Sequence, residues 1–286
     1  RILCLLLVTL LALSTVGYAE ESQEEEIVFA DPVLENIMRK LVDNPEGALT
    51  RESLKAVENL NIGIDGENTP EDEKIHDLTG LQYCMNLSGL ALYGHAVEDI
   101  SPLAGLTGLK YLDLGGNPIG DISALSNLHE LRELSIWGTD VGDLSPLAGC
   151  AELTGLYANV NKIEDISALA GLSQLSILDL GENAIHDVSP LAGLSNLTKL
   201  YLRRNRIEDA SALAGLTQLT ALHLGENPVE DWSVLSAIYP NLSDNDFSPN
   251  QIPDGTVIAF DDPVLEARIR EAIGKPEGDV TCGDAK

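Results

Sequence analysis

The sequence is poor in basic residues and in aromatic residues. Lys and Arg together number 17 against 46 Asp and Glu over 286 residues, so the formal net charge is −29 at pH 7. A chain this acidic repels nucleic-acid phosphates and anionic membranes, which argues against both as partners. Aromatic residues make up only 4% of the chain, so any region that concentrates them is informative.

Cysteine is too scarce to build a disulfide framework or a zinc site. Of the 4 cysteines, Cys4 lies in an N-terminal apolar run, and the other three, Cys84, Cys150 and Cys282, show no CxxC spacing. We expect Cys84 and Cys150 to be small buried side chains and Cys282 to be a free thiol. The sequence predicts no metal site and no cofactor.

The first residues are typical of a secretory signal peptide, which we assign to residues 1–19. An apolar run from Leu3 to Val16 precedes the small residues Gly17 and Ala19. The run is short for a membrane span, and an acidic leader at 20–27 follows it. We therefore expect a secreted or cell-surface protein without membrane insertion after cleavage, with a transmembrane anchor as the alternative.

A repeat of 22 residues dominates the rest of the chain. Seven units run without a gap from 81 to 234, and the second unit reads LAGLTGLKYLDLGGNPIGDISA. Apolar residues recur at unit positions 1, 4, 7, 10, 12, 17 and 20. Positions 10 and 12 alternate as in a short strand whose apolar side chains point inward. The unit starts are Leu81, Leu103, Leu125, Leu147, Leu169, Leu191 and Leu213.

Polar residues also recur at fixed unit positions. Position 15 is Asn in five units, which predicts a ladder of buried amides that bond the backbones of neighbouring turns. Positions 19 and 21 are Asp and Ser in every unit, with Pro or Ala after most of the serines. We expect Ser to be the N-cap of a short helical turn, 3-10 in preference to α, and the Asp row to serve capping. An extracellular calcium site is the alternative interpretation of the Asp row.

One unit cannot bury its leucines alone, so the units must stack. The sequence predicts an α/β solenoid with short parallel strands on a concave face and 3-10 turns on a convex face. Flanking segments are a helical cap at 28–58, a degenerate repeat with an acidic insertion at 59–80, and a closure and linker at 235–256. In the cap, Asp31-Pro32 begins a helix and Thr50 begins a second that contains Leu54 and Val57. The apolar stripe of the first helix is Val33, Leu34, Ile37, Met38 and Leu41.

Residues 257–286 resemble the start of a second cap. Residues 260–281, FDDPVLEARIREAIGKPEGDVT, align without a gap on residues 29–50, FADPVLENIMRKLVDNPEGALT. We expect a second, truncated module that begins after the linker.

The repeat pattern LxxLxxLxxLxLxxNxIxDISxL resembles the internalin-type leucine-rich repeats of bacterial surface proteins. The resemblance is close over 81–234 and looser over 28–80. It implies a right-handed horseshoe, a surface or secreted location in bacteria, and binding of a partner through the concave face. It does not identify the partner, because the consensus leucines specify the fold.

The candidate binding residues lie at the outward strand positions 9, 11 and 13. These positions hold five of the eleven aromatic residues that follow Ala19, although the fold requires none there. Exposed Tyr and Trp beside charges are typical of interface hot spots. The predicted partner-binding residues are Tyr93, Tyr111, Asp113, Trp137, Tyr157, Asp179, Lys199, Tyr201, Arg203 and His223.

Several functions compete for this surface. We predict a monomeric, non-catalytic recognition or adhesion module for a protein partner, with glycan binding and a passive spacer as alternatives. The alternative interpretation of the tyrosines is that Tyr suits strands and shields the sheet from water. The row Asp179, Tyr201 and His223 could suggest catalysis, but no Ser or Cys nucleophile lies beside it and the rod offers no enclosed pocket.

Overall fold

The computed structural model describes residues 25–248, 258, 260, 263–281 and 284. The predicted signal peptide, most of the acidic leader, residues 249–256 of the closure and linker, and Cys282 lie outside the described residues. Among the described residues, no helix has the length and apolar character needed to cross a membrane.

One parallel sheet of nine short strands runs through the described solenoid, with the strands in chain order. The middle residue of each strand from β1 to β8 is a buried leucine. The fold class predicted from the 22-residue period is confirmed. The strands are β1 Asn59–Asn61, β2 Gly89–Ala91, β3 Tyr111–Asp113, β4 Glu133–Ser135, β5 Gly155–Tyr157, β6 Ile177–Asp179, β7 Lys199–Tyr201, β8 Ala221–His223 and β9 Asp244–Asn245.

Short 3-10 helices lie on the opposite side of the core. One occurs in each of the seven units, and further 3-10 turns flank them. They are Glu71–Glu73, Leu81–Tyr83, Ser101–Leu103, Ser123–Asn127, Ser145–Gly149, Ser167–Leu169, Ser189–Leu191, Ser211–Gly215, Trp232–Leu235 and Tyr239–Asn241.

The aspartates at position 19 cap these 3-10 helices. In every unit the carboxylate accepts a hydrogen bond from the backbone N–H of the Ser two residues later, at 2.7–2.9 Å. This bond lowers the pKa of Asp165, Asp187 and Asp209, and for Asp231 the bond from the Ser233 hydroxyl, followed by the backbone bond, lowers the pKa. The prediction that Ser is the N-cap is wrong, because Ser101 and its counterparts are the first helical residues in six of the seven turns and Asp231 is the N-cap of the seventh.

The predicted amide ladder is present. Asn205 shows its pattern: Nδ2 donates to Leu180 O at 2.9 Å and to Leu202 O at 3.0 Å, while Oδ1 accepts from Ile185 N at 3.0 Å. Equivalent bonds form at the other four asparagines. The ladder ties each turn to the previous one and satisfies buried backbone groups that no strand reaches.

A histidine continues this ladder into the first unit. At position 15 of that unit, His95 accepts from Ile75 N at Nδ1 over 3.1 Å, and its Nε2 lies 2.7 Å from Ile62 O. The second bond requires a proton on Nε2, so the imidazole is neutral and supplies one donor and one acceptor, as an amide does. Burial lowers the pKa of His95.

The degenerate repeat is longer than its neighbours. Asn59 of β1 pairs with Gly89 of β2, 30 positions away, whereas Tyr111 of β3 pairs with Glu133 of β4, 22 positions away. The eight additional residues belong to the acidic insertion between β1 and Ile75, and both ends of that insertion are bonded by His95.

Helix α1, Pro32–Leu41, begins as predicted, with Asp31 as its N-cap. The buried carboxylate of Asp31 also accepts from His76 N at 2.8 Å, which joins the helix to the degenerate repeat. Leu34 and Met38 are buried, but the prediction for Leu41 is wrong: it is 50% exposed, at the end of the helix.

Helix α2, Arg51–Leu54, is capped by Thr50 but is shorter than predicted. It ends at Leu54, so the prediction that Val57 is helical is wrong. Val57 is nevertheless buried, because the chain after the helix turns towards β1.

The C-terminal end of the solenoid is closed by aromatic stacking. The Trp232 ring stacks on Phe247 with centroids 5.1 Å apart, and Tyr239 meets Phe247 edge-on. Asp246 then accepts from Leu224 N at 2.8 Å, in the place where a further turn would bond.

Helix α3, Pro263–Ile273, repeats the internal bonds of α1. Arg270 Nε donates to Glu266 and Arg270 Nη1 donates to Gly278 O, and Arg39 bonds Glu35 and Gly47 in the same way. The bounds of this segment as a second module stay a prediction.

Cys84 and Cys150 are buried free thiols, as expected. Burial raises the pKa of Cys84 to about 12 and also raises that of Cys150. Both thiols therefore stay protonated and serve as core side chains.

Candidate functional site

We call the outward side chains at unit positions 9, 11 and 13 the sheet face. The parallel register arranges them in three rows, because residues at the same position pair from strand to strand. Row 9 contains Gly89, Tyr111, Glu133, Gly155, Ile177, Lys199 and Ala221, and row 11 contains Ala91, Asp113, Ser135, Tyr157, Asp179, Tyr201 and His223. Row 13 follows the strand ends and contains Tyr93, Gly115, Trp137, Asn159, Gly181, Arg203 and Gly225.

The N-terminal half of the sheet face carries exposed aromatic rings. Tyr111 is 49% exposed, Trp137 is 42% exposed and Tyr93 is 36% exposed. The inward leucines of the same strands are buried, so the core is complete without these rings. Exposed rings that the core does not need are candidates for contact with a partner.

The rings in row 13 lie over glycines of the preceding turn. A Cβ atom at Gly115 would overlap the indole of Trp137, and a Cβ atom at Gly63 would overlap the ring of Tyr93. These glycines therefore allow each ring to lean along the sheet towards the N-terminus. The sequence indicates which residues point outward, but this lean follows only from the structure.

The C-terminal half of the sheet face is centred on row 11. Asp179 pairs with Tyr157 on one side and with Tyr201 on the other. Burial raises the pKa of the Asp179 carboxyl, and burial followed by nearby carboxylates raises the pKa of both phenols. The phenols thus remain neutral hydrogen-bond donors, and the carboxylate between them is partly desolvated.

His223 ends this row. Its ring meets Tyr201 edge-on with centroids 5.1 Å apart, and its Nε2 lies 2.9 Å from Asp244 Oδ1. The shallow cleft beside it is lined by Asp179, Tyr201 and His223, among others, and by no Ser or Cys. Asp, Tyr and His are brought together as predicted, in an open groove without a serine or cysteine nucleophile.

The predicted charged residues differ in how freely they can meet a partner. Lys199 is exposed in row 9. Arg203 bonds Glu226 from the neighbouring turn, and Arg204 joins that pair through Glu226 and Glu182. Asp113 and Asp179 each accept from the N–H two residues later at 3.0 Å, so one oxygen of each supports the local turn.

A cleft that sequence reasoning missed lies at the N-terminal end of the sheet face. It has a volume of about 530 Å³ and is bounded by Tyr93 and Trp137 on the sheet and by Asp65, Glu67 and Lys74 of the acidic insertion. Gly66, Gly94 and Gly116 also line it. The one sequence signal was the concentration of glycines near positions 13 and 14 of the first three units.

The described residues contain no group of three or more His, Cys, Asp or Glu side chains placed to hold a metal ion. One carboxylate oxygen of each position-19 aspartate accepts a hydrogen bond from a serine N–H, as described above.

Comparison with known proteins places this architecture in a family. The family model for leucine-rich repeats matches residues 107–149, 151–193 and 195–237. The crystal structure of internalin C2 from Listeria monocytogenes is 35% identical, with a TM-score of 0.71, and the match covers 78% of this chain and 95% of that one. The chain belongs to the internalin family of leucine-rich-repeat proteins.

Two further structures extend the comparison. Internalin F from Listeria monocytogenes is 29% identical with a TM-score of 0.54, and the match covers 77% of this chain and 78% of that one. A plant peptide hormone receptor, RGFR1 in complex with RGF2, is 20% identical with a TM-score of 0.56, covering 71% of this chain and 34% of that one, and shares the fold alone. No curated protein matches the sequence closely enough to count as a relative.

Proposed function

We propose that this internalin-family chain is an extracellular, non-catalytic recognition module that binds a protein partner through its sheet face. The observation that carries the proposal is a set of five aromatic rings, each at least partly exposed, on a sheet whose core is already filled: Tyr93, Tyr111, Trp137, Tyr157 and Tyr201. The leucine-rich-repeat scaffold is one that typically serves protein interaction, and the internalin family places the chain among such scaffolds.

The composition of the sheet face favours a protein over other ligands. Rings alternate with charges of both signs: Glu133 and Asp179 are acidic, and Lys199 is basic. Protein interfaces combine aromatic anchors with a charged rim in this way. The Tyr157 and Tyr201 phenols can donate hydrogen bonds while their rings contribute apolar contact, which suits interface anchors.

The net charge of the chain predicts how its association rate with a partner depends on salt. At −29 overall, it should attract a partner whose contacting surface is basic, and the attraction should weaken as salt rises. We expect the association rate to fall with ionic strength more than the dissociation rate changes.

The test measures binding of the full chain to a panel of purified extracellular proteins and to a glycan array. The variant Tyr111→Ala/Tyr157→Ala/Tyr201→Ala removes three rings from rows 9 and 11. Loss of three anchors should weaken protein binding by about 100-fold or more. Retained circular dichroism would show that the scaffold still folds.

A matched control removes exposed apolar groups away from the sheet face. Val28 is 69% exposed and Met85 is 57% exposed, so Val28→Ala/Met85→Ala should leave binding unchanged. Equal loss in both variants, or binding to glycans alone, would contradict the proposal. Binding to neither class would favour a passive spacer.

A further inference from the structure

We propose that the cleft between the acidic insertion and the rings of Tyr93 and Trp137 is a site for a cationic group, and that it receives a lysine or arginine side chain of the partner. The inference rests on the proposed function, because it names the chemistry of one contact made by that partner. The cleft is open to solvent at the N-terminal end of the sheet face and measures about 530 Å³.

The aromatic walls suit a cation. Trp137 and Tyr93 occupy position 13 of alternate units, so their backbones lie about 10 Å apart at the usual strand spacing. Gly115, in the unit between them, has no side chain to fill the gap, and the indole leans over it. The face of an indole is the strongest aromatic acceptor for an ammonium or guanidinium group.

The opposite wall supplies negative charge. Asp65 and Glu67 line the cleft, and Asn68 donates to Asp65 at 2.7 Å, which lowers the pKa of that carboxyl and keeps it ionised. Among the described residues that line the cleft, Lys74 is the one cation, and its Nζ lies 3.1 Å from Glu71. The lining therefore has two carboxylates against one ammonium group, and that ammonium group is paired with Glu71.

His95 adds no positive charge to the cleft. Its Nδ1 accepts from Ile75 N and its Nε2 faces Ile62 O, so the ring is neutral in the observed arrangement. The same two bonds hold both ends of the acidic insertion against the first unit.

Close backbone contact fixes the position of the acidic wall. A Cβ atom at Gly94 would overlap Ile64 O, and a Cβ atom at Gly66 would overlap Gly94 O. The insertion thus packs directly on the strand ends, which holds the carboxylates in place before any ligand arrives. A preformed site avoids the cost of ordering its groups on binding.

A neutral sugar could also stack on these rings, but it would leave the two carboxylates without a charged partner. The negative charge of these carboxylates favours a cation over a sugar. A sugar is therefore included among the probes of the test.

The test uses the indole N–H signals of the full chain in ¹⁵N nuclear magnetic resonance. The chain has 2 Trp; Trp137 lines the cleft, whereas Trp232 is 5% exposed, stacks on Phe247 and serves as the internal reference. The probes are Nα-acetyl-lysine methylamide, Nα-acetyl-arginine methylamide, the neutral Nα-acetyl-norleucine methylamide, and N-acetylglucosamine.

We expect the two cationic probes to shift the Trp137 signal with saturation and to leave the Trp232 signal in place. Norleucine that binds as well as lysine would overturn the inference, because charge would then play no part. A preference for N-acetylglucosamine, or no shift with any probe, would overturn it as well.

The variant Asp65→Asn/Glu67→Gln removes the acidic wall while keeping its shape, and should weaken binding of the lysine probe about fivefold. The control Glu152→Gln/Glu164→Gln removes two carboxylates that do not line the cleft and should leave that affinity unchanged. Equal weakening in both variants would indicate a general effect of net charge and would overturn the assignment.

The two proposals can fail separately. A saturating shift of Trp137 in a chain whose triple-tyrosine variant keeps all protein binding would contradict the proposed function alone. Absence of that shift, together with loss of protein binding in the triple-tyrosine variant, would contradict the cationic site alone.

Discussion

Asn205→Ala should destabilise the solenoid far more than an ordinary loss of one side chain. Asn205 is 7% exposed and bonds four backbone groups on two turns, three of them at 2.9–3.0 Å and Arg203 O at 3.5 Å. Alanine can be accommodated at this position, but its side chain can neither donate nor accept a hydrogen bond.

The magnitude follows from what each backbone group retains. Leu180 O keeps a bond from Asn183, and Leu202 O keeps one from Asn227. Ile185 N loses its acceptor in a buried position. One unsatisfied buried donor and two weakened acceptors should lower the free energy of unfolding by about 3 kcal/mol.

The assay is urea unfolding followed by circular dichroism, with Asn196→Ala as the matched control. Asn196 lies in the same unit and donates to Ser173 O at 2.8 Å, but on the surface. Its loss should cost about 0.5 kcal/mol or less. Equal costs for the two variants would refute the view that the ladder holds the turns together. Asn205→His should lose less than Asn205→Ala, because His95 makes the equivalent pair of bonds.

Three further predictions concern the same scaffold. Because burial holds the pKa of His95 below its ordinary value of 6.5, the unfolded chain takes up the proton first, so stability is full above about pH 6.5 and declines as the pH falls through it. In urea unfolding, the free energy of unfolding of His95→Asn should therefore change less between about pH 7 and about pH 5 than that of the unsubstituted chain. An unchanged pH profile would contradict this. Val160 is a β-branched residue at φ 56°, so Val160→Gly should raise the free energy of unfolding by about 1 kcal/mol, and a loss of stability in urea would argue against backbone strain there. Deletion of residues 125–146 should leave a shorter, folded solenoid by circular dichroism, whereas an unfolded product would show that this unit is misdefined.

The 22-residue period predicted the strands, the core and the amide ladder because burial alone imposes those spacings. Leu112 and Leu134 are paired residues of neighbouring strands and both face the core, which requires that the strands stack in register. The Asp and Ser rows were harder to assign, since both residue types cap helices well. The backbone decides that Asp99 accepts and that Ser101 begins the turn.

The features that the sequence did not predict depend on contacts between distant segments. His95 replaces an asparagine, but its partner Ile62 lies beyond the insertion, and the extra residues hide the equivalence. The cleft likewise requires the path of that insertion, which composition does not specify. Leu41 kept the helical period but fell at the helix end, where nothing covers it.

Photo-crosslinking from two serines tests the central claim most directly. p-Benzoylphenylalanine would be introduced at Ser135 in β4, on the sheet face, or at Ser126 in the 3-10 helix Ser123–Asn127 that leads into the same unit, on the opposite side. With a protein identified in the binding panel, recognition through the sheet face predicts crosslinks from position 135 and none from position 126. Crosslinks from position 126 alone would contradict it.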